Sequence, residues 1–304
     1  VICVGNYHVG GAGKTPLDIG LAERRVASGG RVAFLTRGYG GSFEGPVEVD
    51  AGHTARDVGD EPLLLARAAP VIVSRARALG AQMAQRLGAS VIVMDDGFQN
   101  PSLNKDLSII VMDGMRGLGN GQVFPAGPLR APLDVQLART DALVLVGEGA
   151  GASEARELAA THGIACFMAH LEPDAAALAR LSAKRIFAFA GIGDPHRFFR
   201  MLAAQGCTIE AHRAFADHHD FTRDQLVQLI DEAKARGLQL VTTEKDMVRI
   251  ASQAALRDLA AAVDVLPVKM MIEDAPRWEN WLAARLAQAH QQAGATMASG
   301  QPGL

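Results

Sequence analysis

The chain has 304 residues, of which 49% are hydrophobic and 21% are charged, and its formal net charge is −3. This length predicts one large or two medium domains with a substantial core. The charge balance gives no electrostatic reason to expect a nucleic-acid partner. The three cysteines are far apart in the sequence, which favours reduced thiols in a cytoplasmic protein over disulfides or a zinc site.

Apolar runs rich in Val and Ile alternate with helical patterns in the first half of the chain. Such runs are typical of strands that are buried on both faces of a parallel sheet, so we predict an α/β three-layer domain over residues 1–150. Ligands of such sheets bind beyond the carboxyl ends of the strands. The predicted strands are Val1–Val4, Arg31–Leu35, Val71–Ser74, Val91–Met94, Leu107–Met112 and Ala142–Val146.

The glycine run Gly147–Gly151 predicts a domain boundary, because it would interrupt any regular element. Residues 151–292 repeat the α/β rhythm and are predicted to form a second, smaller domain, followed by a flexible tail at 293–304. The strands predicted there are Arg185–Ala190, Cys207–His212, Gln239–Thr243 and Val263–Val268. No apolar run reaches the length of a transmembrane helix. Because the chain begins inside a predicted strand, we expect residues upstream of Val1, and a membrane-contacting segment there stays an open alternative.

A glycine-rich segment follows the first predicted strand and precedes a predicted helix, as in a P-loop. Its backbone N–H groups and the helix dipole are suited to a triphosphate, Lys14 to the β- and γ-phosphates, and the Thr15 hydroxyl to Mg²⁺. The strict pattern would place glycine at His8. The predicted nucleotide-binding residues of this segment are Gly10, Gly11, Ala12, Gly13, Lys14 and Thr15.

Two acids, Asp95 and Asp96, end the fourth predicted strand. A doubled Asp downstream of a P-loop favours Mg²⁺ binding over simple capping of the next turn. The nearby amide of Gln99 could orient a water or a phosphate. Asp60 and Glu61 stand where a helix begins, so they could cap its N–H groups, or Asp60 could be a base near the γ-phosphate.

The cluster Asp217–Asp220 leaves three alternatives open: a metal site, a His that supports an Asp base, or an ordinary polar loop. The segment between residues 117 and 130 is rich in Gly and Pro and is flanked by Arg116 and Arg130. Long irregular segments are often functional, and arginines there could bind phosphate bidentately. Thr36–Gly41 also has the composition of a binding loop.

Taken in chain order, these motifs resemble those of the tetraacyldisaccharide 4′-kinase family, the lipid A 4′-kinases of Gram-negative bacteria. The resemblance extends from Gly5 to about Trp281. It rests on the whole set of motifs, since none is decisive alone. The motifs are Gly5-Asn6 followed by GGAGKT, Thr36–Gly41 (TRGYGG), Gly59–Pro62 (GDEP), Asp95–Gln99 (DDGFQ), Gly119-Asn120-Gly121 with Pro125–Arg130 (PAGPLR), Asp217–His219 (DHH) and Thr242–Asp246 (TTEKD).

The resemblance implies transfer of the ATP γ-phosphate to the 4′-hydroxyl of a tetraacyldisaccharide 1-phosphate, with Mg²⁺, giving lipid IVA. It implies a P-loop NTPase-like αβα domain and a smaller α/β domain, joined by a β-stranded linker with the active site in the cleft between them. It also implies a peripheral protein at the cytoplasmic face of the bacterial inner membrane, with an N-terminal anchor that this chain lacks. We further expect a monomer and no nucleic-acid partner.

Carried over residue by residue, the resemblance makes Asp60 the catalytic base and His218 its partner, although the adjacent His219 leaves that assignment open by one position. Arg77, Arg130 and Glu61 are expected to contact the substrate or its phosphates. Lys14 and Gln99 would serve the nucleotide, and the expected metal ligands are Thr15, Asp95 and Asp96.

The sequence departs from the family pattern at Asn100, where many members have His, and at Ala131, where many have an acid. A P-loop ATPase switch that positions cell-division or partition machinery is the best alternative function. That class has a signature lysine where this chain has Val9, which counts against it. A nucleotide-binding protein without catalysis is a third alternative, but it would not need Asp60, Asp95 and Asp96.

Overall fold

A computed structural model describes residues 1–8, 10 and 13–298, and the side chains as far as 292. Two of the predicted phosphate-binding residues, Gly11 and Ala12, lie outside the described residues. So do residues 299–304 of the predicted tail, whereas the backbone at 293–298 continues the last helix.

Strands and helices alternate along the chain, as the sequence predicted. The strands are β1 (Ile2–Gly5), β2 (Val32–Thr36), β3 (Val47–Glu48), β4 (Val71–Val73), β5 (Val91–Asp95), β6 (Leu107–Asp113), β7 (Ala142–Val146), β8 (Ala165–Pro173), β9 (Arg185–Ala190), β10 (Thr208–Ala214), β11 (Gln239–Thr243), β12 (Asp264–Leu266) and β13 (Val268–Ile272). The helices are α1 (Lys14–Ala27), α2 (Ala55–Val58), α3 (Asp60–Leu65), α4 (Arg77–Arg86), α5 (Leu133–Leu137), α6 (Ala150–Thr161), α7 (Ala175–Leu181), α8 (Pro195–Ala204), α9 (Arg223–Ala235), α10 (Glu244–Ser252) and α11 (Ala275–Ala298).

The chain forms two compact units, each built from separate segments. Unit 1 comprises Val1–Lys14, Val91–Leu171 and Met270–Leu304, and unit 2 comprises Thr15–Ser90 and Glu172–Lys269. The segments of the two units therefore alternate along the chain. The sequence-based division placed one boundary at 150/151, and that division stays a prediction.

Unit 1 contains a parallel sheet in the order β8-β7-β6-β1-β5. The strands β1, β5 and β7 are buried along their length, because a parallel sheet is covered on both faces. Val4 of β1 pairs with Asp95 of β5 and with Ile109 of β6. The register therefore brings Asp95 to the same edge of the sheet as the residues that follow β1, where ligands of α/β proteins bind.

The glycine run Gly147–Gly151 has a packing role that the sequence interpretation missed. The run follows β7, which ends at Val146, and the helix α6 begins within it, at Ala150. A Cβ atom at Gly151 would lie 2.3 Å from the Cα of Gly117, and one at Gly114 would lie 1.9 Å from the carbonyl oxygen of Gly147. The glycines allow the backbone of α6 to approach the turn after β6, which explains why they cluster.

Unit 2 contains a second parallel sheet, in the order β10-β9-β11-β12, and a small group in which β4 pairs with β2 in parallel and with β3 antiparallel. Alternate residues of β9 face two separate cores. Phe187 and Phe189 pack with α9, while Ile186 and Ala188 pack with α7 and α8. The expected α/β fold class, with parallel sheets, is confirmed. Within the described residues, no helix combines the length and apolarity that a membrane span requires.

Candidate active site

The predicted P-loop has the expected local structure where it is described. β1 ends at Gly5 and α1 begins at Lys14, so Lys14 stands at a helix N-terminus. Gly10 and Gly13 have φ angles of 106° and 87°, which side chains other than glycine rarely adopt. The Asn6 side chain donates a hydrogen bond to the Gly10 carbonyl at 2.7 Å and thereby closes the turn. This arrangement is suited to a phosphate chain.

Asp96 is paired with two cations of unit 1. Its Oδ1 lies 3.5 Å from Lys14 Nζ and 2.7 Å from Arg130 Nη1. Burial would raise the pKa of Asp96, but the charges of Lys14 and Arg130 hold that pKa below its ordinary value. The backbone of Asp96 has φ 48°, and its N–H donates to the Val4 carbonyl at 2.9 Å, so the carboxylate is fixed beside β1.

Arg130 is held by the backbone that enters the P-loop. Its own N–H donates to the Tyr7 carbonyl and its Nε donates to the His8 carbonyl, each at 2.8 Å. The neighbouring Leu129 forms a β-bridge with His8. This bridge explains the departure from the P-loop pattern, since His8 is buried and extended there and needs none of the freedom of glycine. Burial and the nearby arginines lower the pKa of His8.

Gln99 connects the DDGFQ motif to the same region. Its Nε2 donates to the Asn6 carbonyl at 2.9 Å and to Gln136 Oε1 at 3.0 Å, and its Oε1 lies 3.5 Å from Arg130 Nη1. The buried Gln136 also donates to the Ala131 carbonyl at 2.9 Å. The amides of Gln99 and Gln136 therefore join three sequence motifs, so Gln99 supports the nucleotide loop in this structure.

The predicted metal ligands offer oxygen atoms only, which is the chemistry that Mg²⁺ prefers. Asp95 is buried at the end of β5, where it pairs with Val4 near the end of β1, and Asp96 follows it, so two carboxylates lie at this edge of the sheet. Thr15 adds a hydroxyl, which lies in the first turn of α1. Across the described part of the chain, no group of three His, Cys, Asp or Glu side chains is arranged to hold a metal alone. The two carboxylates of unit 1 fit a cation that takes its other ligands from phosphates and water, as Mg²⁺ does, and the role of Thr15 toward a metal stays a prediction.

In unit 2, Asp60 begins α3 and is 3% exposed. The preceding Gly59 has φ 93°, and a Cβ atom there would lie 2.5 Å from the Tyr39 carbonyl oxygen. This close approach explains the glycine of the GDEP motif. Asp60 Oδ1 accepts the backbone N–H of Glu61 at 2.8 Å. Asp60 therefore does satisfy one N–H group in the first turn of the helix, and this hydrogen bond occupies one oxygen of the carboxylate.

His218, and not His219, contacts Asp60. The Nδ1 of His218 lies 3.1 Å from Asp60 Oδ2, whereas His219 Nε2 contacts Gln225 Oε1 at 3.0 Å and its ring stacks on Phe215. The hydrogen bond to Asp60 raises the pKa of His218 above its ordinary value. Burial would raise the pKa of Asp60, but the hydrogen bond from His218 and the charges of Lys245, His218 and Arg249 leave it below its ordinary value.

A third residue, Arg249 of α10, completes this group. Its Nε lies 3.0 Å from Asp60 Oδ2 in an ion pair that lacks hydrogen-bond geometry, and its side chain is 6% exposed against 2% for that of Asp60. α10 begins at the TTEKD motif because Thr243 caps it: the Thr243 hydroxyl accepts the Asp246 N–H at 3.2 Å and donates to the Asp246 carboxylate at 2.6 Å. The cap fixes the start of the helix that carries Arg249.

Glu61 has partners of its own in unit 2. The Thr15 hydroxyl donates to Glu61 Oε1 at 3.4 Å, and Lys245 forms an ion pair with the same oxygen at 2.5 Å.

Arg77, a predicted substrate contact, is buried at the start of α4 and donates to the Ser74 carbonyl at 2.7 Å. The roles of Glu61 and Arg77 toward a substrate stay predictions.

The loop Thr36–Gly41 supports the Asp60 group. The Tyr39 ring lies 5.3 Å from the His218 ring, and a Cβ atom at Gly38 would lie 2.8 Å from the Val58 carbonyl oxygen. The loop thus packs against the segment that leads into Asp60. Sequence reasoning gave no role to Tyr39, Lys245, Arg249 or Gln136. Lys245 belongs to the TTEKD motif, which could have drawn attention to it. Arg249 belongs to no motif, so nothing in the sequence distinguishes it from an arginine on the surface.

The chain is similar to known kinases along nearly its whole length. Residues 1–287 match the family model of tetraacyldisaccharide-1-P 4′-kinase. A tetraacyldisaccharide 4′-kinase of Bradyrhizobium sp. (strain BTAi1 / ATCC BAA-1182) is 52% identical over 293 residues, covering 96% of this chain and 85% of that protein. One of Rhodopseudomonas palustris (strain BisB5) is 53% identical over 290 residues, covering 95% and 85%. The crystal structure of the "apo" form of LpxK from Aquifex aeolicus, in complex with ATP, has a TM-score of 0.70 and 27% identity, covering 93% of this chain and 87% of that chain.

Proposed function

Since this chain belongs to the tetraacyldisaccharide-1-P 4′-kinase family, we propose that it transfers the γ-phosphate of ATP to the 4′-hydroxyl of a tetraacyldisaccharide 1-phosphate, with Asp60 as the base. The product is lipid IVA, so the reaction belongs to lipid A biosynthesis. The observation that carries the assignment of the base is the contact between Asp60 and His218 at 3.1 Å, in a chain where Gly10 and Gly13 have the positive φ angles of a phosphate-binding loop.

ATP is bound by the glycine-rich loop and the start of α1. Backbone N–H groups at 10–14 and the Lys14 ammonium contact its phosphates, and Arg130 contributes a guanidinium on the same side of unit 1. Thr15, Asp95 and Asp96 are the residues that would hold Mg²⁺, which would neutralise charge on the phosphates. Lys14 and Arg130 now pair with Asp96, so they can exchange this carboxylate for phosphate oxygens.

Asp60 accepts the proton of the acceptor hydroxyl. Its lowered pKa keeps it ionised at neutral pH, as a base must be, and His218 orients the carboxylate and balances its charge. Phosphoryl transfer needs positioning and charge neutralisation more than covalent help from the protein. A fixed carboxylate together with a phosphate-binding loop meets that need.

The acceptor carries acyl chains, so the protein works at a lipid surface. We assign it to the cytoplasmic face of the bacterial inner membrane as a peripheral protein that acts as a monomer. The alternative function, a P-loop ATPase switch, is not favoured, because the relatives over nearly the whole chain are tetraacyldisaccharide 4′-kinases.

The test is ATP-dependent phosphorylation of tetraacyldisaccharide 1-phosphate in detergent micelles with Mg²⁺, with the wild type beside Lys14→Ala. We expect phosphate at the 4′ position with the wild type and a rate about 10²–10³-fold lower with Lys14→Ala, because a cation on the transferred group is removed. Lys105→Ala is the matched control. Lys105 lies in the same unit but donates only to the backbone carbonyls of Asn100 and Leu103 among its described hydrogen bonds.

ATP hydrolysis that proceeds at the same rate with and without the lipid acceptor, and yields no phosphorylated lipid, would contradict the kinase assignment. Equal rates for Lys14→Ala and Lys105→Ala would instead remove Lys14 from the nucleotide site. The assay is repeated in anionic phospholipid vesicles, where sedimentation with the vesicles checks the peripheral assignment.

A further inference from the structure

Arg249 contacts Asp60 and the residue that follows His218. Its Nε lies 3.0 Å from Asp60 Oδ2, and its Nη1 donates to the carbonyl of His219, the residue that follows His218, at 3.0 Å. The pair joins residues that are 158 positions apart in the chain. A single guanidinium therefore spans the two segments that must be brought together.

Arg249 is itself fixed by backbone and by a buried acid. Its Nη2 donates to the Gly191 carbonyl at 2.9 Å and lies 3.3 Å from Asp246 Oδ1. The same oxygen of Asp246 accepts the Gly191 N–H at 3.0 Å. The side chain of Arg249 is 6% exposed, so its hydrogen bonds do not compete with bulk water. A planar guanidinium that is held by several contacts has a fixed orientation, whereas the ammonium of a lysine at this position would not.

Gly191 also explains the backbone of His218. The His218 N–H donates to the Gly191 carbonyl at 3.1 Å, and His218 has φ 55°, a conformation that non-glycine residues adopt rarely. Arg249 donates to that same carbonyl. It therefore stabilises the segment that holds His218 in this conformation, in addition to its contact with Asp60.

The two oxygens of Asp60 consequently have different surroundings. Oδ2 faces both His218 and Arg249. Oδ1 accepts one described hydrogen bond, from the Glu61 N–H. A carboxylate oxygen can accept two hydrogen bonds. Among the described contacts, Oδ1 is thus the oxygen with capacity for a further donor.

We propose that Arg249 is a positioning residue for phosphoryl transfer, and that it fixes the Asp60 carboxylate so that Oδ1 receives the proton of the acceptor hydroxyl. This proposal rests on the proposed function. As the hydroxyl oxygen forms its bond to the γ-phosphorus, the bond from that phosphorus to the β,γ-bridging oxygen breaks and ADP leaves with the electron pair. The hydroxyl proton passes to Oδ1 and is later released to water.

The charges around Asp60 agree with this role. The groups that face it are His218 from the segment after β10, and Lys245 and Arg249 from α10, with Glu61 beside it on α3. Burial raises the pKa of Asp246, the acid that lies beside the same guanidinium. Removing the Arg249 charge would leave Asp60 buried with less compensation and raise its pKa.

The experiment compares Arg249→Lys and Arg249→Met with the wild type. We expect kcat to fall about 10²-fold in Arg249→Lys at an unchanged KM for ATP, because the charge is kept but the carboxylate is no longer oriented. In Arg249→Met, the acid limb of the pH profile of kcat/KM should also move to higher pH. Arg223→Lys is the matched control, because Arg223 likewise contacts an acid, Asp258, and a backbone carbonyl, but on an exposed surface.

Combination with Asp60→Asn separates this proposal from the proposed function. If Arg249 acts through Asp60, adding Arg249→Lys to Asp60→Asn lowers kcat no further. The proposal is overturned if Arg249→Lys lowers kcat as much in the Asp60→Asn background as it does in the wild type. It is also overturned if both Arg249 variants keep the kcat and the acid limb of the wild type. Full activity of Asp60→Asn alone instead overturns the assignment of the base. If Arg249→Lys does not fold, Asp246→Asn replaces it, with an expected loss of about tenfold because Arg249 keeps its other anchors; unchanged kcat there also overturns the proposal.

Discussion

Asp96 in unit 1 and Asp60 in unit 2 are both carboxylates that lie beside two basic side chains, yet those side chains are held differently. Lys14 and Arg130, the partners of Asp96, belong to the segments that we assign to ATP. Arg249, a partner of Asp60, is tied to backbone carbonyls. The Asp96 side chain is 33% exposed, whereas that of Asp60 is 2% exposed.

This difference separates an exchangeable ion pair from a fixed one. A partly exposed carboxylate with phosphate-binding partners can change partners when a triphosphate and its cation arrive, because the competing ligand carries more charge. A buried carboxylate with anchored partners keeps its orientation through the reaction, which is what a base requires. The same residue type thus serves binding in one unit and proton transfer in the other.

The largest effect should come from breaking the fixed pair. Asp60→Asn keeps the size of the side chain but removes the base, so we expect kcat to fall roughly 10²–10⁴-fold with an unchanged affinity for ATP. The measurement is steady-state kinetics with saturating lipid acceptor, together with ATP titration by equilibrium binding. Weaker ATP binding at unchanged kcat would assign Asp60 to the nucleotide instead.

Asp96→Asn is the matched variant on the exchangeable side. It should raise the KM for ATP and the Mg²⁺ concentration that gives half the maximal rate, since one carboxylate ligand is lost. If both variants lowered kcat alone and left the Mg²⁺ requirement unchanged, the distinction between the two carboxylates would be wrong.

Local features of this site could be predicted from the sequence. The P-loop and the doubled acid each lie within a few residues of a strand end, so periodicity and spacing located them. The contact between Asp60 and His218 spans 158 positions and was available only through resemblance to a family. Arg249 escaped notice because its burial depends on packing between α10, α3 and the segment after β10, which no local pattern encodes.

Glycine-rich runs show the limit of local interpretation most clearly. Gly147–Gly151 was interpreted as a domain boundary, which stays a prediction, and the structure shows in addition that the run permits α6 to pack closely on Gly117. Both uses follow from the missing Cβ atom, and the sequence alone does not tell which applies. The strand β8 was also not predicted, since buried and exposed residues alternate along only part of its length.

A smaller effect should follow from disturbing the support of the nucleotide loop. Gln136→Leu leaves the Gln99 amide and the Ala131 carbonyl each without this buried partner, so we expect a loss of about 1–3 kcal/mol in the free energy of unfolding. Chemical denaturation measures it. Gln291→Leu, at an exposed position of α11, is the control and should stay within about 0.5 kcal/mol of the wild type. If the two variants lost the same free energy of unfolding, Gln136 would not support the nucleotide loop.

The smallest effect concerns pH, because the fixed pair contains a histidine and the exchangeable one does not. The pKa of His218 is raised in the folded protein, so its contribution to stability is fully present below the ordinary value of 6.5 and is lost as pH rises through the folded value. The pKa of Asp60 is lowered, so its contribution is present above 3.8 and is lost only at lower pH.

His218→Gln should therefore lower the Tm most below pH 6.5 and progressively less as the pH rises above that value, since the charge that it removes is absent at high pH. The side chain of His218 is 31% exposed, so solvent screening keeps the shift small. Thermal unfolding across this range measures the shift, with the exposed His162→Gln as control. A Tm difference between the wild type and His218→Gln that stays constant with pH would mean that Asp60 does not depend on the imidazolium charge, and that Arg249 alone fixes it.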